Sequence, residues 1–124
     1  MSTTILMIED DERNRYLATF LLEKSGFAVE SAVDGPAGLV RAASLRPDLI
    51  LLDIQLPGMD GYEVARRLKS DPTLAAIPIV AVTSYAMVGD RDRAMISGCD
   101  GYIEKPIDPA RFVGEIFRFL PGNG

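Results

Sequence analysis

The sequence predicts a doubly wound α/β domain, in which a five-stranded parallel sheet carries helices on both faces. Two observations support this prediction. Apolar runs of strand length alternate five times with stretches of helical period, and the 124 residues contain no tract that would separate two domains. Parallel strands that follow one another in this way are joined by right-handed crossovers. We therefore expect residues 1–124 to form a single domain.

The five predicted strands differ in their apolar pattern. The first, third and fourth are continuous apolar runs, which are typical of strands buried on both faces. The second alternates weakly and is typical of an edge strand, and the fifth is short. Their predicted bounds are residues 5–8, 27–32, 49–52, 79–82 and 101–104.

Helix boundaries are indicated by residues that favour the start or the end of a helix. Gly26 ends the first helix, and Asp34 caps the second, which has Pro36 in its first turn. Asp108 and Pro109 open the last helix. Apolar residues recur at helical spacing in four of the helices. In the first helix they are Leu17, Phe20 and Leu21, and in the second they are Leu39, Val40 and Ala43, which we expect to face inward. In the third they are Val64, Ala65 and Leu68, and on one side of the last they are Phe112, Val113, Ile116, Phe117 and Leu120.

The fourth helix, over about residues 86–97, is the weakest of the predicted elements. Gly89 lies inside it and costs about 1 kcal/mol relative to alanine. Such a helix is consistent with a movable element of the fold. Turn-forming residues also mark a loop at residues 56–61, between the third strand and the third helix.

Composition and charge exclude several classes of function. The chain has no histidine, so histidine metal sites and Ser-His-Asp triads are excluded, and its one cysteine, Cys99, cannot form an internal disulfide. The net charge of −5 argues against direct binding to nucleic acid, which needs lysine and arginine to neutralise phosphates. The apolar run at residues 49–52 is far shorter than the ~20 residues that span a bilayer, and no signal peptide is indicated. We therefore expect a cytoplasmic protein without membrane or nucleic-acid partners.

Polar and charged side chains follow four of the predicted strands at the point where each ends. They are Glu9, Asp10 and Asp11 after the first strand, Asp53 after the third, Thr83 and Ser84 after the fourth, and Lys105 and Pro106 after the fifth. In open α/β sheets the functional crevice lies at the carboxyl ends of the strands, so these residues are expected to meet in one pocket. Taken singly, Asp11 is typical of a helix cap, Thr83 of a strand-end hydroxyl and Lys105 of a solvated lysine.

The predicted pocket favours a hard metal ion over a nucleotide. Carboxylates this close repel one another unless a cation compensates, and oxygen ligands without histidine or cysteine favour Mg²⁺ or Mn²⁺. A nucleotide site would need glycines and hydroxyls after the first strand, where this chain has Glu9, Asp10, Asp11 and Glu12. Neither G-x-x-x-x-G-K-[ST] nor G-x-G-x-x-G is present.

Several short motifs occur in a specific order along nearly the whole chain. They are the acidic pair Glu9-Asp10, Asp53 after an apolar strand, the loop Leu56-Pro57-Gly58-Met59-Asp60-Gly61, then Thr83, Tyr102 and Lys105-Pro106. Together they resemble the receiver domain of bacterial two-component response regulators, with its CheY-like fold. The resemblance implies the strand order 2-1-3-4-5, as in flavodoxin. Because only four residues follow the last predicted helix, we expect no output domain.

The resemblance also implies a phosphoacceptor and a metal site. Asp53 would be the phosphoacceptor, attacking the phosphorus of a phosphohistidine on a sensor histidine kinase or a histidine phosphotransferase. Mg²⁺, or Mn²⁺, would be held by Asp10, Asp53 and the backbone carbonyl of Gln55, and by Glu9 through water. A carboxylate needs no activating base, which agrees with the absence of histidine.

The remaining motif residues would bind the phosphoryl group and transmit its arrival. Lys105 would take one phosphoryl oxygen, aimed by a cis bond to Pro106, and the Thr83 hydroxyl and Ser84 N–H would take another. Tyr102 would turn inward when Thr83 moves, and so change the α4-β5-α5 face that a downstream protein partner contacts. Ser84 departs from the alanine or other small residue usual in the family, but it is small enough for the phosphate to approach.

Two alternatives belong to other classes of protein. One is a Mg²⁺-dependent phosphohydrolase of the haloacid-dehalogenase type, which also forms an aspartyl-phosphate. That family needs a second aspartate two residues after the nucleophile, where this chain has Gln55, which cannot transfer protons. The other is a receiver-like adaptor that is never phosphorylated, against which the complete acidic site argues. We expect a signalling protein that turns over no external substrate.

Overall fold

The computed structural model describes residues 3–84 and 88–120. Five parallel strands form one sheet in the order β2-β1-β3-β4-β5, which confirms the predicted fold class and strand order. The elements are β1 (Thr4–Ile8), α1 (Glu12–Lys24), β2 (Ala28–Ala32), α2 (Gly35–Leu45), β3 (Leu49–Asp53), α3 (Gly61–Ser70), β4 (Ile79–Thr83), α4 (Asp90–Ile96), β5 (Gly101–Glu104) and α5 (Phe112–Phe117).

The helices cover the two faces of the sheet unequally. Buried side chains of α1 and α5 pack on one face, and those of α2, α3 and α4 pack on the other. Every residue of β3 and β4 is buried, whereas β2 lies at the edge of the sheet with two exposed residues. Because the strands are parallel, the carboxyl ends of β1, β3, β4 and β5 meet along one edge.

The inward face of α2 differs from the predicted one. Val40 is 68% exposed and Ala43 is exposed as well, whereas Gly38 and Ala42 are buried. The reason is the close approach of α2 to β1, since a Cβ at Gly38 would lie 2.4 Å from Cδ1 of Ile8. The helix therefore packs through its smallest residues, and its larger apolar side chains lie at the margins.

The first helix also buries small and large residues in an unexpected pattern. Ala18 and Leu22 face the core, Leu17 and Leu21 are half-buried, and Phe20 is 52% exposed. The apolar repeat correctly predicted a helix here, but the buried positions lie one residue after the predicted ones.

The fourth helix begins later than predicted. It starts at Asp90, and Ala86, where the predicted helix began, lies outside the described residues. Gly89 has a φ of 92° and stands before the first helical residue, so it is not inside the helix. The helix cost expected for this glycine therefore does not apply, because a left-handed backbone is where glycine is favoured.

The last helix is shorter than predicted and begins at Phe112 rather than at Asp108. Asp108 instead forms a turn, in which its carboxylate accepts a hydrogen bond from the backbone N–H of Ala110 at 3.0 Å. Phe117 is partly exposed, and its ring centroid lies 5.2 Å from that of Phe27.

Aspartate side chains cap the first three helices. Asp11 accepts hydrogen bonds from the backbone N–H groups of Arg13 and Asn14, and Asp34 caps α2 as predicted. Asp60 does the same for α3. Within residues 3–84 and 88–120, no helix is long and apolar enough to cross a membrane.

Candidate functional site

An open pocket of about 240 Å³ lies at the carboxyl edge of the sheet. Its lining residues come from the ends of β1, β3, β4 and β5 and from the start of α1. They are Glu9, Asp10, Asp11, Asn14, Asp53, Gln55, Ser84 and Lys105. The structure therefore brings most of the residues that follow the predicted strands into one place.

Two of the carboxylates in this pocket are buried. Asp53 is 3% exposed and Glu9 is 4% exposed, whereas Asp10 is open to solvent. Asp53 is the last residue of β3, and Glu9 directly follows the neighbouring strand β1. The backbone N–H of Glu9 donates to the carbonyl of Ala32 at 3.0 Å, which keeps it in the line of the sheet.

Three carboxylates converge in the pocket, and two of them contact the same lysine. One oxygen from each of Glu9, Asp10 and Asp53 lies within 4.8 Å of the others. Lys105 Nζ lies 2.8 Å from Glu9 Oε1 and 3.5 Å from Asp53 Oδ2. The backbone N–H of Lys105 donates to the carbonyl of Thr83 at 2.7 Å, and its peptide bond to Pro106 is cis. The cluster thus holds more negative than positive charge.

Burial and neighbouring charges change the pKa values of Glu9 and Lys105. The pKa of Glu9 is raised to about 7, mainly by burial and in part by the neighbouring Asp53, against the opposing effect of Lys105. Burial alone would lower the pKa of Lys105, but the adjoining Glu9 and Asp53 outweigh burial and raise it. The lysine is therefore held in its charged form. Its single positive charge does not neutralise the cluster of carboxylates.

The donor set of this pocket fits a hard divalent cation. Three carboxylate oxygens converge, and neither histidine nor cysteine lines the pocket. Oxygen ligands of this kind suit Mg²⁺ and Mn²⁺. Gln55, whose backbone carbonyl was expected as a further ligand, lines the same pocket two residues after Asp53.

The side chain of Gln55 joins the ends of β3 and β4. Its Nε2 donates a hydrogen bond to the hydroxyl oxygen of Thr83, and its Oε1 accepts one from the backbone N–H of Ser84 at 3.1 Å. The backbone N–H of Gln55 donates to Asp53 Oδ1 at 3.0 Å. The sequence assigned only the backbone of Gln55 to the site, because nothing in the sequence indicates the path of this loop.

Arg15 contacts the site, and this contact was not predicted from the sequence. Its Nη1 donates to the backbone carbonyl of Glu9 at 2.9 Å, and the backbone N–H of Asp11 donates to Glu9 Oε2 at 3.2 Å. Arg15 thus holds the backbone of Glu9, and the Asp11 N–H holds the carboxylate that faces Lys105. The only signal in the sequence was the position of Arg15 in the first turns of a helix that starts beside the site.

Tyr102 lies apart from the pocket. It pairs with Ala81 on β4, so it shares the face of the sheet that Thr83 occupies two residues further along. Tyr102 is half-buried, and burial together with the nearby Asp90 raises the pKa of its hydroxyl. Thr83 itself is buried and reaches the pocket through Gln55.

Comparisons with known proteins agree with this geometry. Residues 5–117 match the family model of the response regulator receiver domain. The chain is 43% identical over 120 residues to the polar-differentiation response regulator DivK of Brucella anthropi, covering 97% of this chain and 98% of that protein. The match to DivK confirms the resemblance expected from the motifs.

Solved structures show the same fold. The chemotaxis protein CheY4 of Vibrio cholerae superposes with a TM-score of 0.92 at 25% identity, covering 97% of this chain and all of that one (100%). The receiver domain of a Pseudomonas aeruginosa sensor histidine kinase superposes with a TM-score of 0.88 at 30% identity, covering 96% and 98% of the two chains. That structure has a magnesium ion coordinated in its active site cleft.

Proposed function

Since the chain belongs to the response regulator receiver domain family, we propose that Asp53 accepts a phosphoryl group from a phosphohistidine. The donor would be a sensor histidine kinase or a histidine phosphotransferase of a two-component system. One observation carries this proposal: Asp53 is buried at the end of β3, beside Lys105 and within an acidic cluster. A structural aspartate in such a place would have a counter-ion of its own, whereas Asp53 shares Lys105 with Glu9.

A divalent cation belongs to this proposal. Asp10, Asp53 and the backbone carbonyl of Gln55 would hold Mg²⁺ or Mn²⁺ directly, and Glu9 would hold it through water. The convergence of three carboxylate oxygens within 4.8 Å supports this assignment, as does the magnesium ion in the relative from Pseudomonas aeruginosa. The ion would supply positive charge to the phosphoryl oxygens during transfer.

The residues of the chain have defined tasks in the transfer itself. An oxygen of the Asp53 carboxylate attacks phosphorus and forms the new O–P bond, while the N–P bond of the phosphohistidine breaks and its electron pair returns to the imidazole. Lys105 neutralises charge on the phosphoryl oxygens, and the Thr83 hydroxyl and Ser84 N–H stabilise another oxygen. No general base is needed, because an ionised carboxylate is already a nucleophile.

The phosphorylated protein would act by contact with another protein. We place the contact on the α4-β5-α5 face, on which Tyr102 is half-buried and Ile96 of α4 is exposed. Phosphorylation would draw Thr83 toward Asp53 and let Tyr102 turn inward. A cytoplasmic location suits the single cysteine, and the net charge of −5 disfavours direct contact with nucleic acid.

Incubation with acetyl phosphate and Mg²⁺, followed by intact mass measurement, tests the proposed function. We expect the mass of one phosphoryl group to be added to the wild-type protein. Asp53→Asn should gain none, and Asp92→Asn, which changes an exposed aspartate on α4, should gain it normally. Steady turnover of a phosphomonoester would instead favour the phosphohydrolase, and the absence of any adduct would favour the unphosphorylated adaptor.

A further inference from the structure

The side chain of Gln55 is hydrogen-bonded to both groups that the proposed function assigns to one phosphoryl oxygen. Ser84 N–H, which would stabilise a phosphoryl oxygen, already donates to Gln55 Oε1, and the Thr83 hydroxyl oxygen already accepts from Gln55 Nε2. The orientation of the carboxamide is unambiguous, since only its oxygen can accept from the backbone N–H of Ser84. Both ends of the side chain are thus engaged in the unphosphorylated protein.

The same residue is tied to the phosphoacceptor. The backbone N–H of Gln55 donates to Asp53 Oδ1 at 3.0 Å, so its loop contacts the carboxylate that would be modified. One residue therefore connects Asp53 at the end of β3 with Thr83 and Ser84 at the end of β4. A phosphoryl oxygen that accepted the Ser84 N–H would have to displace the carboxamide oxygen. The second bond of the carboxamide, to the hydroxyl oxygen of Thr83, restrains the movement of Thr83.

We propose that Gln55 is a positioning residue that latches the end of β4 in the resting state. The proposal rests on the proposed function, because it concerns competition between the carboxamide and a phosphoryl group. The carboxamide holds Thr83 and Ser84 in their resting positions until a phosphoryl oxygen replaces it at Ser84. Gln55 therefore sets how readily a phosphoryl group recruits Thr83, and with it the rearrangement of Tyr102.

The chain offers a direct spectroscopic probe of this latch, because Gln55 is its only glutamine. Selective ¹⁵N labelling of glutamine gives one side-chain NH₂ pair in the NMR spectrum. In the resting protein we expect this pair to be shifted from the position of free glutamine and to exchange slowly. Addition of Mg²⁺ and beryllium trifluoride, a phosphoryl mimic, should move the pair toward the free position. A resting pair already at that position would overturn the latch.

A substitution gives the energetic test. Gln55→Met keeps the length of the side chain and removes both hydrogen bonds. We expect the variant to bind beryllium trifluoride in the presence of Mg²⁺ about tenfold more tightly, which corresponds to one net hydrogen bond. In its resting state the Ser84 amide should exchange with deuterium about tenfold faster than in the wild type.

The two proposals fail in different ways. If the wild-type protein binds beryllium trifluoride but Gln55→Met binds it equally or more weakly, the latch is overturned and the proposed function stands. If the wild-type protein neither binds beryllium trifluoride nor gains a phosphoryl group from acetyl phosphate, the proposed function itself is overturned, and the latch with it.

Discussion

Two lysines at opposite edges of the sheet have contrasting surroundings. At the amino edge, Lys69 Nζ donates to the carbonyls of Ala75 and Ile77 at 2.9 and 3.1 Å and lies 3.3 Å from Asp100 Oδ2. At the carboxyl edge, Lys105 faces carboxylates only, among the contacts described for its side chain. The first lysine joins two loops, whereas the second lies in a pocket.

The difference lies in the balance of charge. Asp100 has Lys69 as its counter-ion, and its Oδ2 also accepts the backbone N–H of Ile79 at 2.8 Å. At the other edge, Glu9 and Asp53 share Lys105, and the carboxylate of Asp10 lies close to both of them. A balanced cluster stabilises the fold, whereas an unbalanced one is sustained at a cost and is typical of a functional site.

Replacement of each lysine should separate the two edges by their effect on phosphorylation. Lys105→Met should slow phosphorylation of Asp53 by about 100-fold, since it removes a fixed positive charge from the phosphoryl oxygens. Lys69→Met should leave the rate near that of the wild type and lower the free energy of unfolding instead. The measurement is the rate of adduct formation with acetyl phosphate and Mg²⁺. Equal rates for the two variants would show that Lys105 contributes no more to phosphorylation than Lys69 does.

The free energy of unfolding in metal-free buffer should depend on pH through Glu9. The pKa of Glu9 is raised from 4.5 to about 7, so between these values the folded protein binds more protons than the unfolded chain. This contribution to stability is complete below pH 4.5 and is lost as the pH rises through 7. Its size is at most about 3 kcal/mol, because solvent in the open pocket screens part of the effect.

Urea unfolding of the wild type and Glu9→Gln at several pH values isolates this contribution. The difference between the two free energies of unfolding should change across pH 4.5 to 7, in the sense that the wild type loses stability relative to the variant. A constant difference would mean that Glu9 titrates as it does in an unfolded chain.

Replacement of one aspartate at each edge should change the free energy of unfolding in opposite directions. Asp10→Asn should raise the free energy of unfolding in metal-free buffer by on the order of 1 kcal/mol, because it relieves repulsion with Asp53 and Glu9. Asp100→Asn should lower it by about 1 kcal/mol, because it removes the counter-ion of Lys69. Thermal or urea unfolding gives both values, and a loss of stability in Asp10→Asn would show that Asp10 stabilises the fold.

The edge on which the site lies could be predicted from the sequence for a simple reason. Buried parallel strands are continuous apolar runs, and their carboxyl ends meet, so the residues after each run are brought together. Glu9, Asp53 and Lys105 were found in this way. Their positions depend on the backbone of the sheet, which the apolar pattern determines.

Features that depend on packing could not be predicted in the same way. Val40 was expected inside, but Gly38 allows α2 to approach Ile8 so closely that larger residues are excluded from the contact. The side chain of Gln55 is a comparable case, since its two hydrogen bonds depend on how a loop places a flexible chain. Apolar periodicity carries no information on either contact.

The carboxyl edge holds an excess of negative charge, and we expect a divalent cation to compensate it. The free energy of unfolding, measured as Mg²⁺ is added to metal-free protein, tests this claim most directly. We expect it to rise by about 2.7 kcal/mol at 100 times the dissociation constant in the wild type and in Asp100→Asn. Asp10→Asn and Asp53→Asn should show little or no rise. An equal rise in all four proteins, or none in the wild type, would contradict the claim.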